Sequence, residues 1–137
     1  MITAIDTNIL IDILEPCPKF GLSSKNALKL ALAEGSVVAC DVVWAEVATA
    51  YGAKQEELLR ALNGLGVTFS PITQNAAQEA VKGWFLYRKS GGTRKRIAAD
   101  FLIGGHALIQ SDRLLTRDQG VFSTVFKSLK ILDPSLE

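Results

Sequence analysis

The chain has 137 residues, of which 48% are hydrophobic and 21% are charged, and its formal net charge is +1. This length suits one domain, residues 1–137, with a single hydrophobic core, and the composition argues against a disordered segment. Because the overall charge is close to zero, the chain can hold nucleic acid only through a local basic patch.

Strands alternate with helices along the sequence. We predict, in chain order, a strand over 2–6, a helix over 7–14, a loop over 15–22, a helix from a Ser23 or Ser24 cap to 33, a strand over 36–40, helices over 42–51 and 55–65, a strand over 67–72, a helix over 73–89, a loop over 90–96, a helix over 97–110, and strands over 113–116 and 130–132. Strands separated by helices pair in parallel through right-handed crossovers. The predicted fold is therefore an α/β protein, a three-layer α/β/α sandwich around a central, mostly parallel sheet.

The apolar stretches of the sequence are interrupted by polar residues. The start of the chain lacks an unbroken apolar run, so we do not expect a secretory signal peptide. The stretch 37–51 contains Asp41 and Glu46 and is too polar to span a membrane. We therefore expect a cytoplasmic protein with no membrane partner, in which Cys17 and Cys40 are both reduced.

Four acidic residues that lie far apart in the sequence are predicted at one edge of the sheet: Asp6, Glu46, Asp100 and Asp118. Reactive groups of an open parallel sheet collect beyond the carboxyl ends of its strands. Carboxylates brought together there repel one another, and a hard divalent cation such as Mg²⁺ or Mn²⁺ removes that cost. The sequence offers no Cys/His cluster for zinc and no glycine-rich phosphate loop.

Each acid taken alone also has a purely structural interpretation. Asp6 could equally be a helix N-cap, and Asp118 could be a turn residue. Asp112 is expected to cap or turn after Ser111 and is left out of the metal site. Structural roles, in the core, in an interface or in close helix packing, are expected for a further group of residues: Trp44, Trp84, Phe85, Tyr87, Gly104, Gly105 and His106.

Four segments of the sequence resemble the motifs of the PIN domain, particularly the toxin ribonucleases of VapC type. They are AIDTNILID, WAEV, AADFLIGGHAL and LLTRDQGVF, and they occur in the family's order over almost the whole chain. The resemblance implies a PIN-type α/β/α sandwich and a Mg²⁺- or Mn²⁺-dependent endoribonuclease. It also implies a type II toxin held silent by a cognate antitoxin, and a homodimer.

The family's catalytic and metal-binding acids fall on Asp6, Glu46, Asp100 and Asp118, and its neighbouring polar residues fall on Asn8 and Thr116. We expect the metal to be held by Asp6 and Asp100, with Asp118 and Glu46 ligating directly or through water. Asn8 and Thr116 would orient waters or the ligating carboxylates. Attack by hydroxide would leave a 5′-phosphate and a 3′-hydroxyl.

A basic segment directly precedes the predicted helix that carries Asp100. It contains Arg94, Lys95 and Arg96, which could hold RNA phosphates or could equally be a solvated loop. Two other functions stay open. One is an aspartate-nucleophile phosphotransferase, although Asn8 occupies the place of its usual second acid, and the other is a non-catalytic or RNA-processing PIN-fold protein outside a toxin–antitoxin pair.

Overall fold

The computed structural model describes residues 1–52, 54–93 and 98–136. Its strands are β1 (Ile2–Ile5), β2 (Ser36–Ala39), β3 (Val67–Phe69), β4 (Arg113–Leu115) and β5 (Ile131–Leu132). Its helices are α1 (Thr7–Leu14), α2 (Gly21–Glu34), α3 (Asp41–Ala50), α4 (Gln55–Leu65), α5 (Gln74–Lys89), α6 (Ala99–Gln110) and α7 (Gly120–Val125), and a 3₁₀ turn follows at Pro134–Leu136.

The five strands form one parallel sheet in the order β3-β2-β1-β4-β5. The strand order reverses at β1, which pairs with β2 on one side and β4 on the other. Right-handed crossovers then place α1 to α4 on one face of the sheet and α5 to α7 on the other. The predicted three-layer sandwich is confirmed, and its switch point lies at the carboxyl ends of β1 and β4.

The core consists of apolar side chains from the sheet and from the helices on both faces. Ile5, Leu114 and Leu115 are fully buried on the central strands, and Ile9 and Phe101 pack from α1 and α6. Burial of such side chains is the main force that holds the layers together. Within the ranges that the structure describes, no helix is both long and apolar enough to cross a membrane.

The four aromatic residues for which a core or interface role was expected differ in their surroundings. Trp44, Trp84 and Tyr87 are partly buried and pack against the core, whereas the side chain of Phe85 is exposed.

The start of α2 differs from the prediction. The helix begins at Gly21, the N-cap residue Phe20 makes no side-chain cap, and Ser23 donates its hydroxyl to the Phe20 carbonyl. Ser24 lies inside the helix, and its hydroxyl donates to Asp12 of α1 at 2.8 Å. The predicted serine cap is therefore wrong, because a buried acid on another helix takes the hydroxyl of Ser24.

The short helix α7 was not predicted from the sequence. It has six residues, and only Phe122 among them is buried. A single buried side chain gives no periodic pattern, so its helical state depends on tertiary packing.

Gly105 lies where α6 crosses α5 at close range. A methyl group added at this position would lie 2.5 Å from the backbone oxygen of Ala76 and 2.9 Å from the backbone nitrogen of Ala80. The backbone of α5 cannot yield as a flexible side chain would. The predicted close helix packing at Gly105 is confirmed.

We predict that Gly105→Ala lowers the free energy of unfolding by about 1–3 kcal/mol, because the methyl group overpacks the contact between two helices. Gly64 provides the matched control, since it lies in α4 with no described atom within 4 Å of the same methyl group. Gly64→Ala should raise stability by about 0.5–1 kcal/mol. Denaturant unfolding of both variants measures the difference, and equal effects would contradict the close packing.

Candidate active site at the carboxyl edge of the sheet

Asp6 is the first residue beyond β1, and it is only 6% exposed. Its backbone amide donates to the Leu115 carbonyl at 3.0 Å, which continues the pairing of β1 with β4. Its Oδ1 accepts a hydrogen bond from the amide of Thr7 at 2.7 Å, so Asp6 is also the N-cap of α1. The N-cap role and a role in the acidic site are therefore compatible at this residue.

Two polar side chains surround the second carboxylate oxygen of Asp6. The hydroxyl of Thr116 donates to Oδ2 at 2.8 Å, and the Asn8 amide nitrogen lies 3.5 Å from Oδ2 and 3.4 Å from the Thr116 oxygen. Thr116 is fully buried. The structure thus brings Asn8 and Thr116 to Asp6, where they can orient its carboxylate.

Glu46 reaches the site through Thr7. Its helix, α3, follows β2, and its Oε1 accepts a hydrogen bond from the Thr7 hydroxyl at 2.7 Å. Glu46 is exposed, in contrast to Asp6. Thr7 of α1 therefore links Asp6, which follows β1, to Glu46 of α3.

Asp100 lies in the first turn of α6 and contributes to the electrostatics of Asp6. The pKa of Asp6 is raised from 3.8 to about 6, mainly because burial penalises the charged form. Hydrogen bonds from Thr116 and Thr7 lower this pKa, whereas the charges of Asp100 and Glu46 raise it. Asp100 and Glu46 are therefore close enough for their charges to act on Asp6.

Asp118 is held at the start of α7. Its Oδ1 accepts a hydrogen bond from the amide of Gly120 at 3.0 Å, and its own amide donates to the Thr116 hydroxyl at 3.0 Å. Thr116 therefore connects Asp118 to Asp6 through one hydroxyl group. In the described part of the chain, no three His, Cys, Asp or Glu side chains are grouped so that they could hold a metal ion.

An ion pair beside the site was missed in the sequence. Asp12 of α1 is 4% exposed, and its carboxylate accepts from Arg117 Nε at 2.6 Å and from Arg117 Nη2 at 3.0 Å. Ser24 donates to the same carboxylate. The sequence feature that could have revealed this ion pair is an acid between Ile11 and Ile13 in an apolar helix, because a buried charge requires a partner.

His106 and Asp112 were not predicted to belong to the metal site, and both make contacts that suit a structural role. His106 is buried, with Nε2 3.0 Å from the Ser70 hydroxyl, and burial lowers its pKa. Asp112 accepts from the amide of Ile2 at 2.6 Å, at the opposite end of β1 from Asp6. The predicted RNA-binding residues Arg94, Lys95 and Arg96 lie outside the described residues.

Fold and site together define an α/β sandwich protein with an acidic centre at the switch point of its parallel sheet. The PIN domain family model matches residues 3–127. The chain belongs to the PIN domain family.

Solved structures share this fold over nearly their whole length. A chain of VapBC2 from Rickettsia felis, bound to a DNA fragment from its promoter, is 19% identical with a TM-score of 0.75, and 97% of this chain and 98% of that chain are covered. FitAcB from Neisseria gonorrhoeae is 24% identical with a TM-score of 0.72, at 98% and 99% coverage. A toxin–antitoxin complex from Klebsiella pneumoniae is 23% identical with a TM-score of 0.66, at 96% and 97% coverage. No match was found among curated protein sequences.

We predict that Asp6→Asn stabilises the metal-free protein at pH 8. The pKa of Asp6 in the fold is about 6, above its ordinary 3.8, so ionisation of Asp6 lowers the free energy of unfolding as the pH rises between these values. The full cost is up to about 3 kcal/mol above pH 6, since one pKa unit corresponds to about 1.4 kcal/mol. The amide keeps an oxygen for the Thr7 hydrogen bond.

Thermal melting in the presence of a chelator measures this effect. The gain should be several degrees at pH 8 and should shrink at pH 5, where wild-type Asp6 is mostly protonated. Asp112→Asn, which neutralises an exposed acid at the other edge of the sheet, is the control. An Asp6→Asn variant that is no more stable than wild type at pH 8 would contradict the electrostatic account.

Proposed function

We propose that this PIN domain protein is a Mg²⁺- or Mn²⁺-dependent endoribonuclease and the toxin of a type II toxin–antitoxin pair. The observation that carries the proposal is the buried carboxylate of Asp6, whose pKa is raised by burial and by the charges of Asp100 and Glu46. An acid kept in such a place at a cost in stability is typical of a functional site.

The donor set of the site suits a hard divalent cation. Its side chains offer carboxylate, amide and hydroxyl oxygens, and oxygen is the ligand that Mg²⁺ and Mn²⁺ prefer. Asp6 and Asp100 would hold the ion, with Asp118 and Glu46 ligating directly or through water. A cation here would also offset the charges of Asp100 and Glu46, which add to the effect of burial on the pKa of Asp6.

A bound ion of this kind supplies an acidified water as nucleophile and neutralises charge on the phosphodiester. The residues of the chain supply position. The backbone amide of Thr7 donates to one carboxylate oxygen of Asp6, and the hydroxyl of Thr116, which follows β4, donates to the other. Asn8 lies against both Thr116 and Asp6. A carboxylate held in this way presents its remaining lone pairs in a constant direction.

The proposed partners are an RNA substrate, a cognate antitoxin protein and a second copy of this chain. The antitoxin is supported by the likeness to a chain described as part of a toxin–antitoxin complex. The homodimer is supported only by the family motifs in the sequence. A cytoplasmic location suits both the RNA substrate and the two unpaired cysteines.

We predict that the purified protein cuts RNA with Mg²⁺ or Mn²⁺ and that a chelator prevents cleavage. Asp6→Asn and Asp100→Asn should each abolish cleavage, because each removes a charged ligand, while Asp112→Asn should retain it. Mn²⁺ at a hundredfold excess over its dissociation constant should stabilise the wild-type fold by about 2.7 kcal/mol. Asp6→Asn should reduce that stabilisation.

The outcomes separate the alternative functions. Cleavage that persists in Asp6→Asn would exclude the proposed site. A folded protein that neither cuts RNA nor responds to Mn²⁺ would indicate a non-catalytic PIN domain. Incorporation of phosphate at Asp6 from a phosphate donor would indicate a phosphotransferase.

We predict that Arg94, Lys95 and Arg96 bind RNA phosphates without contributing to metal binding. Their place in the sequence, directly before the helix of Asp100, motivates this role. Replacing all three by Ala should weaken RNA binding and flatten the slope of log affinity against log salt by up to roughly 2, since each phosphate contact to a single strand contributes about −0.7. Mn²⁺ affinity should stay unchanged.

RNA binding at several salt concentrations, with Ca²⁺ replacing Mg²⁺ to suppress cleavage, measures the slope. The matched control removes three exposed lysines elsewhere, Lys25, Lys29 and Lys130, and loses the same net charge. An equal change of slope in both variants would indicate that the basic segment is a solvated loop with no specific role in RNA binding.

A further inference from the structure

Arg117 lies between the two site residues of the loop that follows β4. Thr116 precedes it and Asp118 follows it. Its side chain donates two hydrogen bonds to the carboxylate of Asp12 in α1, from Nε at 2.6 Å and from Nη2 at 3.0 Å. Its backbone amide lies 3.4 Å from the Asn8 side-chain oxygen, to which it donates. Both parts of this residue therefore tie the loop to α1.

A further contact fixes the flat face of the guanidinium. The Arg117 guanidinium carbon lies 4.0 Å from the ring centroid of Phe20, the residue before α2. The partner carboxylate of Asp12 is also held by the hydroxyl of Ser24 in α2. The edge of the guanidinium therefore contacts Asp12 of α1, and its face contacts Phe20, the N-cap residue of α2. These two contacts restrict the rotation of the guanidinium as well as its position.

We propose that Arg117 and Asp12 are positioning residues, which hold the loop so that Thr116 contacts Asp6 and Asp118 stays at the acidic centre, and which thereby set the affinity of the site for its divalent cation. The statement about cation affinity rests on the proposed function. The statement about the loop rests on the contacts alone.

Removing the positive charge of Arg117 has opposite expected effects on cation binding, depending on whether this residue acts through its position or through its charge. The guanidinium of Arg117 carries a positive charge on the residue next to Asp118, so it can also act on the acidic centre through its charge. If charge were its only effect, removing this positive charge would strengthen cation binding. If position is its role, the same removal weakens cation binding.

The decisive variant removes both charges together. Asp12→Asn with Arg117→Gln leaves the net charge unchanged and leaves no unpaired buried carboxylate, so we expect the variant to fold. Arg117→Gln alone tests the sign of the effect. Arg113→Gln is the matched control, since Arg113 lies at the opposite end of β4, donates to the Thr3 hydroxyl and pairs with Glu34 at 3.5 Å.

Two measurements on the full chain test the proposal. The first is the dissociation constant for Mn²⁺ by calorimetric titration, which should rise about 10–100-fold in the double variant, the usual effect of losing a partner that orients metal ligands. The second is hydrogen exchange in the metal-free protein. The amides of Asp118 and Gly120 should exchange faster, because they donate to the Thr116 hydroxyl and to the Asp118 carboxylate.

Each result decides the proposal. Weaker Mn²⁺ binding and faster exchange at 118 and 120 in the double variant, with neither change in Arg113→Gln, support it. Tighter Mn²⁺ binding in Arg117→Gln overturns it in favour of a charge effect, and equal losses in Arg113→Gln overturn it in favour of general stability. If the wild type binds no Mn²⁺, the proposed function fails, while faster exchange at 118 and 120 still supports the positioning of the loop.

Discussion

The parallel pairing of β1 with β4 is the contact on which the candidate site depends. Ile5 lies opposite Leu115, so the next residues, Asp6 and Thr116, leave the sheet side by side although 110 positions separate them. A carboxylate can be buried at this edge only because a backbone amide and a hydroxyl satisfy its oxygens. Without the pairing, Asp6 would be a capping residue at a helix start and nothing more.

The acids of this region are kept close at a cost in stability. The charges of Asp100 and Glu46 add to the burial that raises the pKa of Asp6, and the hydrogen bonds of Thr7 and Thr116 only partly offset them. Asp12 shows the opposite arrangement a short distance along the same helix. Its carboxylate is also buried, but Arg117 and Ser24 satisfy it. Asp12 is therefore a buried acid paired with a positive charge, whereas Asp6, the N-cap of the same helix, is a buried acid whose pKa is raised by burial and by two nearby negative charges.

Some features were predictable because they are local. Alternating strand and helix patterns located the main elements, and a parallel sheet with right-handed crossovers followed from them. The four acids could be proposed as one group because strand ends converge at one edge. The helix α7 was missed because only Phe122 of its six residues is buried. The capping role expected for Ser23 or Ser24 was wrong because the Ser24 hydroxyl binds Asp12, a contact between helices that no local pattern reveals.

The sequence by itself determined the order of the elements other than α7, the α/β class, the candidate acids and the family, because each depends on residue types at short spacing or at strand ends. Only the tertiary structure decided the strand order, the meeting of Asp6 with Thr116, and the partner of Asp12. The physical reason is that strand neighbours and buried ion pairs are selected by the packing of the whole core. The residues around α1 and those that follow β4 are about a hundred positions apart in the sequence, so only the packing of the folded chain makes them neighbours.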